Sequence, residues 1–151
     1  MVNLEVIFIQ EKSVHRSVPW IIILTHGNWG EKLVKSAETI VGTLKNVYSF
    51  ALLPEMSLED YLNEIKKVLE NAPDGSLILT DLLGSTTSNI AAILSKTYKI
   101  SAISGLSMSM LIYADEMRKT YCGEELANAL VLKTRQECEN IIEVVKSKNE
   151  G

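Results

Sequence analysis

The sequence predicts an α/β fold, with a mostly parallel open sheet and helices on both faces in three layers. Two observations lead to this prediction. Short aliphatic runs recur along the chain, each bounded by turn residues, as in strands that are buried on both faces. Longer segments between these runs repeat apolar residues at the spacing of an amphipathic helix. This alternation implies right-handed crossovers and about four parallel strands, to which we add an edge strand.

Composition limits the classes of protein that remain. The chain has 151 residues, 46% apolar and 23% charged, enough for one domain with a sizeable core. A net charge of -4 argues against a general binder of nucleic acid or membrane surfaces. We see neither a signal peptide nor an apolar run near the roughly 20 residues that span a bilayer, so we expect a cytoplasmic protein without direct membrane insertion. We expect Cys122 and Cys138 to be reduced thiols, and with two histidines in the chain we expect no zinc site.

The first half of the chain begins with a segment that we expect to be an edge strand, Val2–Ile9, followed by a turn. A strand at Trp20–Thr25 then leads through a loop at His26–Gly30. The first helix is predicted at about Glu31–Val41, and Gly42 is suited to end it.

The next strand is predicted at Val47–Leu53. Ser57, with Asp60 three residues on, is typical of the start of a helix. Turn residues at positions 71–75 end this second helix. Leu77–Thr80 is fully apolar up to its last residue and is predicted to be the third strand.

The remaining elements are a third helix after the polar loop that follows Asp81, a short strand at Ile100–Ile103, and a helix from Ser107 onward. One long last helix is predicted from Glu124 to about Val145. We therefore divide the chain into an edge strand and turn (residues 1–19), the main domain (20–147) and a frayed polar tail (148–151).

His26 and Asp81 follow two of the apolar strands directly. Carboxyl ends of parallel strands lie at one edge of a sheet, where ligands and chemistry usually meet. Neutral imidazole is a nucleophile near neutral pH, and a carboxylate that accepts Nδ1–H leaves Nε2 free to react. Either residue taken alone could also be structural, the histidine as a strand-end hydrogen-bonding group and the aspartate as a turn cap.

A glycine and four hydroxyl residues follow Asp81 and precede the third helix: Gly84, Ser85, Thr86, Thr87 and Ser88. A helix amino terminus offers unpaired N–H groups and a positive dipole end, which suit an anion. Ordinary capping needs one hydroxyl, so four in succession favour an anion site. The run lacks the Walker pattern, which argues against direct use of ATP, and no nucleophile elbow of a serine hydrolase occurs. Together these features suggest a transient phosphohistidine.

The chain resembles the enzyme IIA component of the mannose-type (mannose, fructose and sorbose) bacterial phosphotransferase system, over roughly Ile21 to Val145. The resemblance rests on Ile22–Gly30 with the helix containing Ala37-Glu38, on Thr80-Asp81 and the loop through Asn89, and on Gly105 with Met110-Leu111. It implies a mostly parallel five-stranded sheet flanked by helices, and a homodimer.

By position, the resemblance makes His26 the phosphorylated histidine, Asp81 its carboxylate partner, and Thr86 the counterpart of a serine near the phosphate. It implies phosphoryl transfer from the phosphocarrier protein HPr to a separate enzyme IIB protein, which serves the membrane components IIC and IID, without a cofactor. We expect Gly84, Ser85, Thr86 and Thr87 to bind the phosphate. The family's Gly-Gly-Ser-Pro loop reads Gly84-Ser85-Thr86-Thr87 here, and its later proline is Ser109.

Three alternatives remain open at this point. The domain could be a regulatory or partner-binding module that senses phosphorylation without onward transfer, and the altered loop favours this reading. It could be the related carrier subunit of a dihydroxyacetone kinase, although the segment around His26 and the single-domain length fit the sugar system better. It could also be a ligand-binding domain in which His26 only forms hydrogen bonds.

Overall fold

The computed structural model describes residues 17–151. One four-stranded sheet lies at its centre, parallel throughout, with the strand order β2-β1-β3-β4. The strands are β1 (Ile21–His26), β2 (Val47–Leu52), β3 (Ser76–Thr80) and β4 (Ile100–Ser104). The predicted parallel sheet is therefore confirmed. The predicted edge strand at Val2–Ile9 lies outside the described residues and stays a prediction.

Helices cover both faces of this sheet. They are α1 (Trp29–Val41), α2 (Leu58–Leu69), α3 (Thr86–Leu94), α4 (Met108–Met117), α5 (Gly123–Arg135) and α6 (Ile141–Asn149). Ile21 and Ile23 of β1 face a core shared with α1, α4 and α5, whereas Ile22 and Leu24 face a core shared with α2 and α3. Because side chains alternate along a strand, β1 buries residues in both cores, and the predicted three-layer arrangement is confirmed.

Capping residues mark several helix ends where the sequence predicts them. The Ser57 hydroxyl accepts a hydrogen bond from the Asp60 N–H at the start of α2. The Ser107 hydroxyl accepts one from the Met110 N–H at the start of α4. Gly42 follows α1 with φ of 81°, a conformation that glycine adopts without strain.

The predicted single helix over Glu124–Val145 is wrong, because α5 ends at Arg135 and a separate helix, α6, begins at Ile141. Residues 136–140 are all exposed and α6 has no buried residue, so burial does not decide where the helix breaks. The side chain of Asn140 accepts hydrogen bonds from the N–H groups of the second and third residues of α6. This asparagine starts a new helix instead of continuing the old one.

Gly30 brings α1 close to the sheet. The helix begins at Trp29, two residues before the predicted start. A Cβ atom on Gly30 would lie 2.6 Å from Ser49 Oγ and 3.0 Å from methyl groups of Ile23 and Thr25. Only a residue without a side chain allows this approach, which fixes the start of α1 directly behind the end of β1.

Candidate active site at the carboxyl edge of the sheet

The strand order creates a switch point between β1 and β3. The connection from β1 leads outward to β2, and the connection from β3 leads the other way to β4. Open α/β sheets bind ligands in the crevice that such a reversal leaves at the carboxyl ends of the strands. His26 is the last residue of β1, and Asp81 directly follows β3. The topology therefore brings together the two residues that the sequence singles out.

His26 forms two hydrogen bonds with the same oxygen of Asp81. Asp81 Oδ2 accepts the backbone N–H of His26 at 2.7 Å and lies 2.9 Å from its Nδ1. An ionised carboxylate only accepts hydrogen bonds, so the ring proton belongs on Nδ1 and Nε2 keeps its lone pair. The side chain of His26 is 48% exposed and that of Asp81 is 9% exposed. A half-exposed imidazole is thus backed by a nearly buried carboxylate.

Burial alone would raise the pKa of Asp81. The hydrogen bonds from the His26 backbone N–H, the His26 ring and the Thr87 hydroxyl outweigh burial, and the pKa of Asp81 falls below its ordinary value. The carboxylate is therefore ionised at neutral pH, as its role as a hydrogen-bond acceptor requires.

The amino terminus of α3 faces the loop that follows Asp81. Ser85 is the N-cap, and the first helical hydrogen bond runs from the Asn89 N–H to the Ser85 carbonyl oxygen. Within residues 17–151, no acceptor is found for the N–H groups of Thr86–Ser88 or for the Thr86 hydroxyl. Gly84 has φ of 79°, and a side chain there would meet nothing within 4 Å. This turn has the donors and the open approach that an anion needs.

Comparison with known proteins identifies the family of the chain. A sequence profile for EIIA-man, described as the PTS system fructose IIA component, matches residues 20–131. The chain belongs to this family. The resemblance drawn from the sequence is thereby confirmed. No curated protein sequence matches the chain significantly.

Solved structures of IIA proteins share the fold. The phosphotransferase system component EIIA from Streptococcus agalactiae is 29% identical and covers 82% of this chain and 98% of its own, with a TM-score of 0.76. The mannose/sorbose-specific IIA subunit from Enterococcus faecalis is 26% identical and covers 83% of this chain and 96% of its own, with a TM-score of 0.75. A IIA protein associated with a fucose utilisation operon in Streptococcus pneumoniae, 19% identical with a TM-score of 0.70 over 84% of this chain and 96% of its own, shares the fold.

Thr87 and Ser85, two of the predicted phosphate-binding residues of this IIA-family chain, form hydrogen bonds inside the site. The buried Thr87 hydroxyl donates to Asp81 Oδ1 at 2.8 Å. The Ser85 hydroxyl donates to the Leu82 carbonyl oxygen at 2.6 Å and lies 3.0 Å from Thr87 Oγ1. The sequence gives no sign of the contact between Thr87 and Asp81, because a run of four hydroxyl residues does not reveal which of them faces inward.

Gly27 fixes the backbone that directly follows His26. Its N–H donates to the Leu52 carbonyl oxygen of β2 at 3.0 Å, and its carbonyl oxygen accepts the Thr25 hydroxyl at 2.7 Å. Gly27 has φ of 69°, which strains most other residues. His26 therefore lies between strand β1, which pairs with β2, and a turn at Gly27 that is held by two hydrogen bonds.

Exposed apolar side chains lie at the edge of the sheet that carries His26 and Asp81; we call them the apolar rim. They follow β1, β2 and β3 at the same edge: Trp29, Leu53, Leu82 and Leu83, which are 39%, 36%, 62% and 79% exposed. Exposed apolar surface at one edge of a fold is where another protein can dock.

The described part of this IIA-family chain contains no group of three or more histidine, cysteine, aspartate or glutamate residues that could hold a metal ion. No helix among residues 17–151 combines the length and apolar character needed to cross a membrane.

Proposed function

We propose that the chain is a phosphoryl carrier of a sugar phosphotransferase system, which accepts phosphate on His26 from phospho-HPr and donates it to a separate enzyme IIB protein. The observation that supports this most is the bond between His26 Nδ1 and Asp81 Oδ2, because it leaves Nε2 as the nucleophile. Membership of the IIA family gives the reaction class.

In the proposed step, the Nε2 lone pair of His26 attacks the phosphorus of the donor's phosphohistidine. The nitrogen–phosphorus bond of the donor breaks as the Nε2–phosphorus bond forms, and the donor imidazole leaves with the bonding electrons and later takes up a proton. Asp81 stabilises the positive charge that develops on the His26 ring. The same events in reverse order deliver the phosphoryl group to enzyme IIB, and no cofactor takes part.

The phosphoryl oxygens are expected to bind at the start of α3. The N–H groups of Thr86 and Thr87 and the Thr86 hydroxyl find no acceptor among the described residues, and with the open turn at Gly84 they provide donors and space. Ser85, which is the N-cap of α3, belongs to the same turn. This assignment keeps all four predicted phosphate-binding residues in the site, with Thr87 contributing its backbone and not its hydroxyl.

The partners follow from this role. HPr and enzyme IIB would dock in turn on the apolar rim, and enzyme IIB would serve the membrane components IIC and IID. We further propose that the chain acts as a homodimer in the cytoplasm, as the family resemblance implies.

The experiment is phosphorylation by phosphoenolpyruvate, enzyme I and HPr, followed by intact mass measurement and treatment with acid. We expect the wild-type chain to gain one acid-labile phosphate and His26→Ala to gain none. His15→Ala is the matched control, because His15 is the other histidine of the chain, and it should behave as wild type. Absence of the mass gain with an active HPr preparation, or its persistence in His26→Ala, would overturn the proposal.

A regulatory module that is phosphorylated without passing the phosphate on is the second candidate. It is favoured by the Ser85 and Thr87 hydroxyls, which form hydrogen bonds within the loop and with Asp81. The phosphorylated chain should then keep its phosphate when it is mixed with enzyme IIB proteins of the mannose type, whereas a carrier should lose it to one of them.

A further inference from the structure

We infer that Thr87 is a positioning residue, whose hydroxyl holds the Asp81 carboxylate in the orientation that fixes the tautomer of His26. The effect on phosphoryl transfer rests on the function proposed above, whereas the effect on the His26 ring does not. By the resemblance drawn from the sequence, Thr87 stands where the family's loop has a proline, which has no hydroxyl to make this contact.

Counting protons fixes the direction of the hydrogen bond. Thr87 and Ser85 have one hydroxyl proton each, and an ionised Asp81 has none to give. The Thr87 proton must therefore point to Asp81 Oδ1, which lies 2.8 Å away and is a charged acceptor. The Ser85 proton goes to the Leu82 carbonyl oxygen at 2.6 Å, and Ser85 Oγ lies 3.0 Å from Thr87 Oγ1.

Both oxygens of Asp81 are held in this way. Oδ2 accepts the two donors of His26, and Oδ1 accepts Thr87. A carboxylate held through one oxygen can rotate about its terminal bond, which has no strong rotamer preference. The second anchor removes that freedom and keeps Oδ2 aimed at Nδ1.

Thr87 is well suited to serve as this anchor. Its side chain is fully buried, and it belongs to the first turn of α3. A branched Cβ in a helix leaves few rotamers, so the hydroxyl has little freedom to turn away. The unpaired N–H groups of the same turn face the proposed phosphate site. Thr87 thus couples the position of α3 to the position of the His26 ring through one carboxylate.

The test compares Thr87→Val, which keeps the branched shape and removes the hydroxyl, with Thr87→Ser, which keeps the hydroxyl. Thr134→Val is the matched control, since it removes a helical hydroxyl that bonds the Leu130 carbonyl oxygen in α5. The first readout is the nitrogen NMR spectrum of the unphosphorylated imidazoles, which distinguishes protonation at Nδ1 from protonation at Nε2. With two histidines in the chain, His26→Ala assigns the signals.

We expect wild type, Thr87→Ser and Thr134→Val to show His26 protonated at Nδ1, and Thr87→Val to show a mixture of both tautomers. The rate of phosphorylation by phospho-HPr should fall about tenfold in Thr87→Val and stay within about twofold in the other two variants, as expected for the loss of one hydrogen bond to a charged group. Hydrogen–deuterium exchange of the core strands reports whether each variant is folded.

The two proposals fail in different ways. A folded Thr87→Val with the wild-type spectrum and rate would overturn the positioning role and leave the carrier function standing. A wild-type chain that takes no phosphate from HPr, but whose His26 tautomer responds to Thr87→Val and is restored by Thr87→Ser, would overturn the carrier function alone. If Thr87→Val does not fold, Thr87→Ala provides the same comparison.

Discussion

One carboxylate oxygen of Asp81 accepts two donors from His26, the backbone N–H at 2.7 Å and Nδ1 at 2.9 Å. The backbone bond places the carboxylate relative to β1, and the ring bond places the imidazole relative to the carboxylate. The orientation of the ring is thus fixed relative to a deeply buried strand, in which Ile21–Thr25 are fully buried.

The first prediction concerns Asp81→Asn. An amide carries no charge and can present N–H instead of oxygen to the ring, so the wrong tautomer of His26 becomes favourable and the developing positive charge loses its partner. We expect the rate of phosphorylation by phospho-HPr to fall about a hundredfold. Rapid-quench measurement of the phosphorylated fraction gives this rate.

Asp74→Asn is the control for that variant, because Asp74 is an exposed aspartate whose closest cation is Lys99 at 3.6 Å. It should react at the wild-type rate. A wild-type rate in Asp81→Asn would show that Asp81 does not orient the nucleophile.

The second prediction concerns pH and stability. The pKa of Asp81 is lowered in the folded chain, so as pH falls the unfolded chain takes up this proton first. The stabilisation from Asp81 is complete above the unfolded pKa, which is about 4, and is lost as pH falls through the folded pKa. Urea denaturation from about pH 7 to about pH 3 should therefore show the wild type and Asp81→Asn converging in free energy of unfolding. A difference in free energy of unfolding that stays constant over this pH range would contradict the lowered pKa of Asp81.

The third prediction concerns Gly30→Ala. The new Cβ would lie 2.6 Å from Ser49 Oγ and 3.0 Å from two methyl groups, so α1 or the sheet must shift. We expect a loss of about 1–3 kcal/mol in the free energy of unfolding, measured with urea. Adding Ser49→Ala removes the closest contact and should recover part of the loss, which a double-mutant cycle measures. Strictly additive effects would show that the two residues do not collide.

The fourth prediction concerns the apolar rim. Leu83 is 79% exposed, so Leu83→Glu should leave the free energy of unfolding unchanged. The HPr concentration that half-saturates phosphorylation should rise about tenfold, equivalent to about 1.4 kcal/mol of binding, with the maximal rate preserved. Ile40→Glu is the matched control, since Ile40 is 64% exposed and lies near the far end of α1, about 16 Å along the helix from Trp29. Equal behaviour of the two variants would show that HPr docks elsewhere.

Local chemistry was predictable from the sequence wherever a short pattern decides the structure. Ser57 and Ser107 cap helices because a hydroxyl at that position satisfies an N–H three residues on. The meeting of His26 with Asp81 was predictable because parallel strands end at one edge, although the bond itself depends on β1 and β3 being neighbours.

Other features were not predictable in this way. The break before α6 coincides with the side-chain cap of Asn140 and not with a change in burial, and the apolar spacing of the segment did not reveal it. Gly30 resembles an ordinary loop glycine until the close approach of Ser49 is seen. The inward direction of Thr87 depends on the orientation of α3, which no stretch of sequence encodes by itself.

Asp81 occupies the Nδ1 side of the His26 imidazole, which leaves the Nε2 side for the reaction. In the proposed reaction, the phosphoryl donor and the phosphoryl acceptor then bind at the same position, and they cannot bind there at the same time. A change in the apolar rim that improves recognition of one partner alters the surface that the other must recognise. The choice of partners upstream and downstream is thus linked, and the two would have to adapt to this chain as a pair.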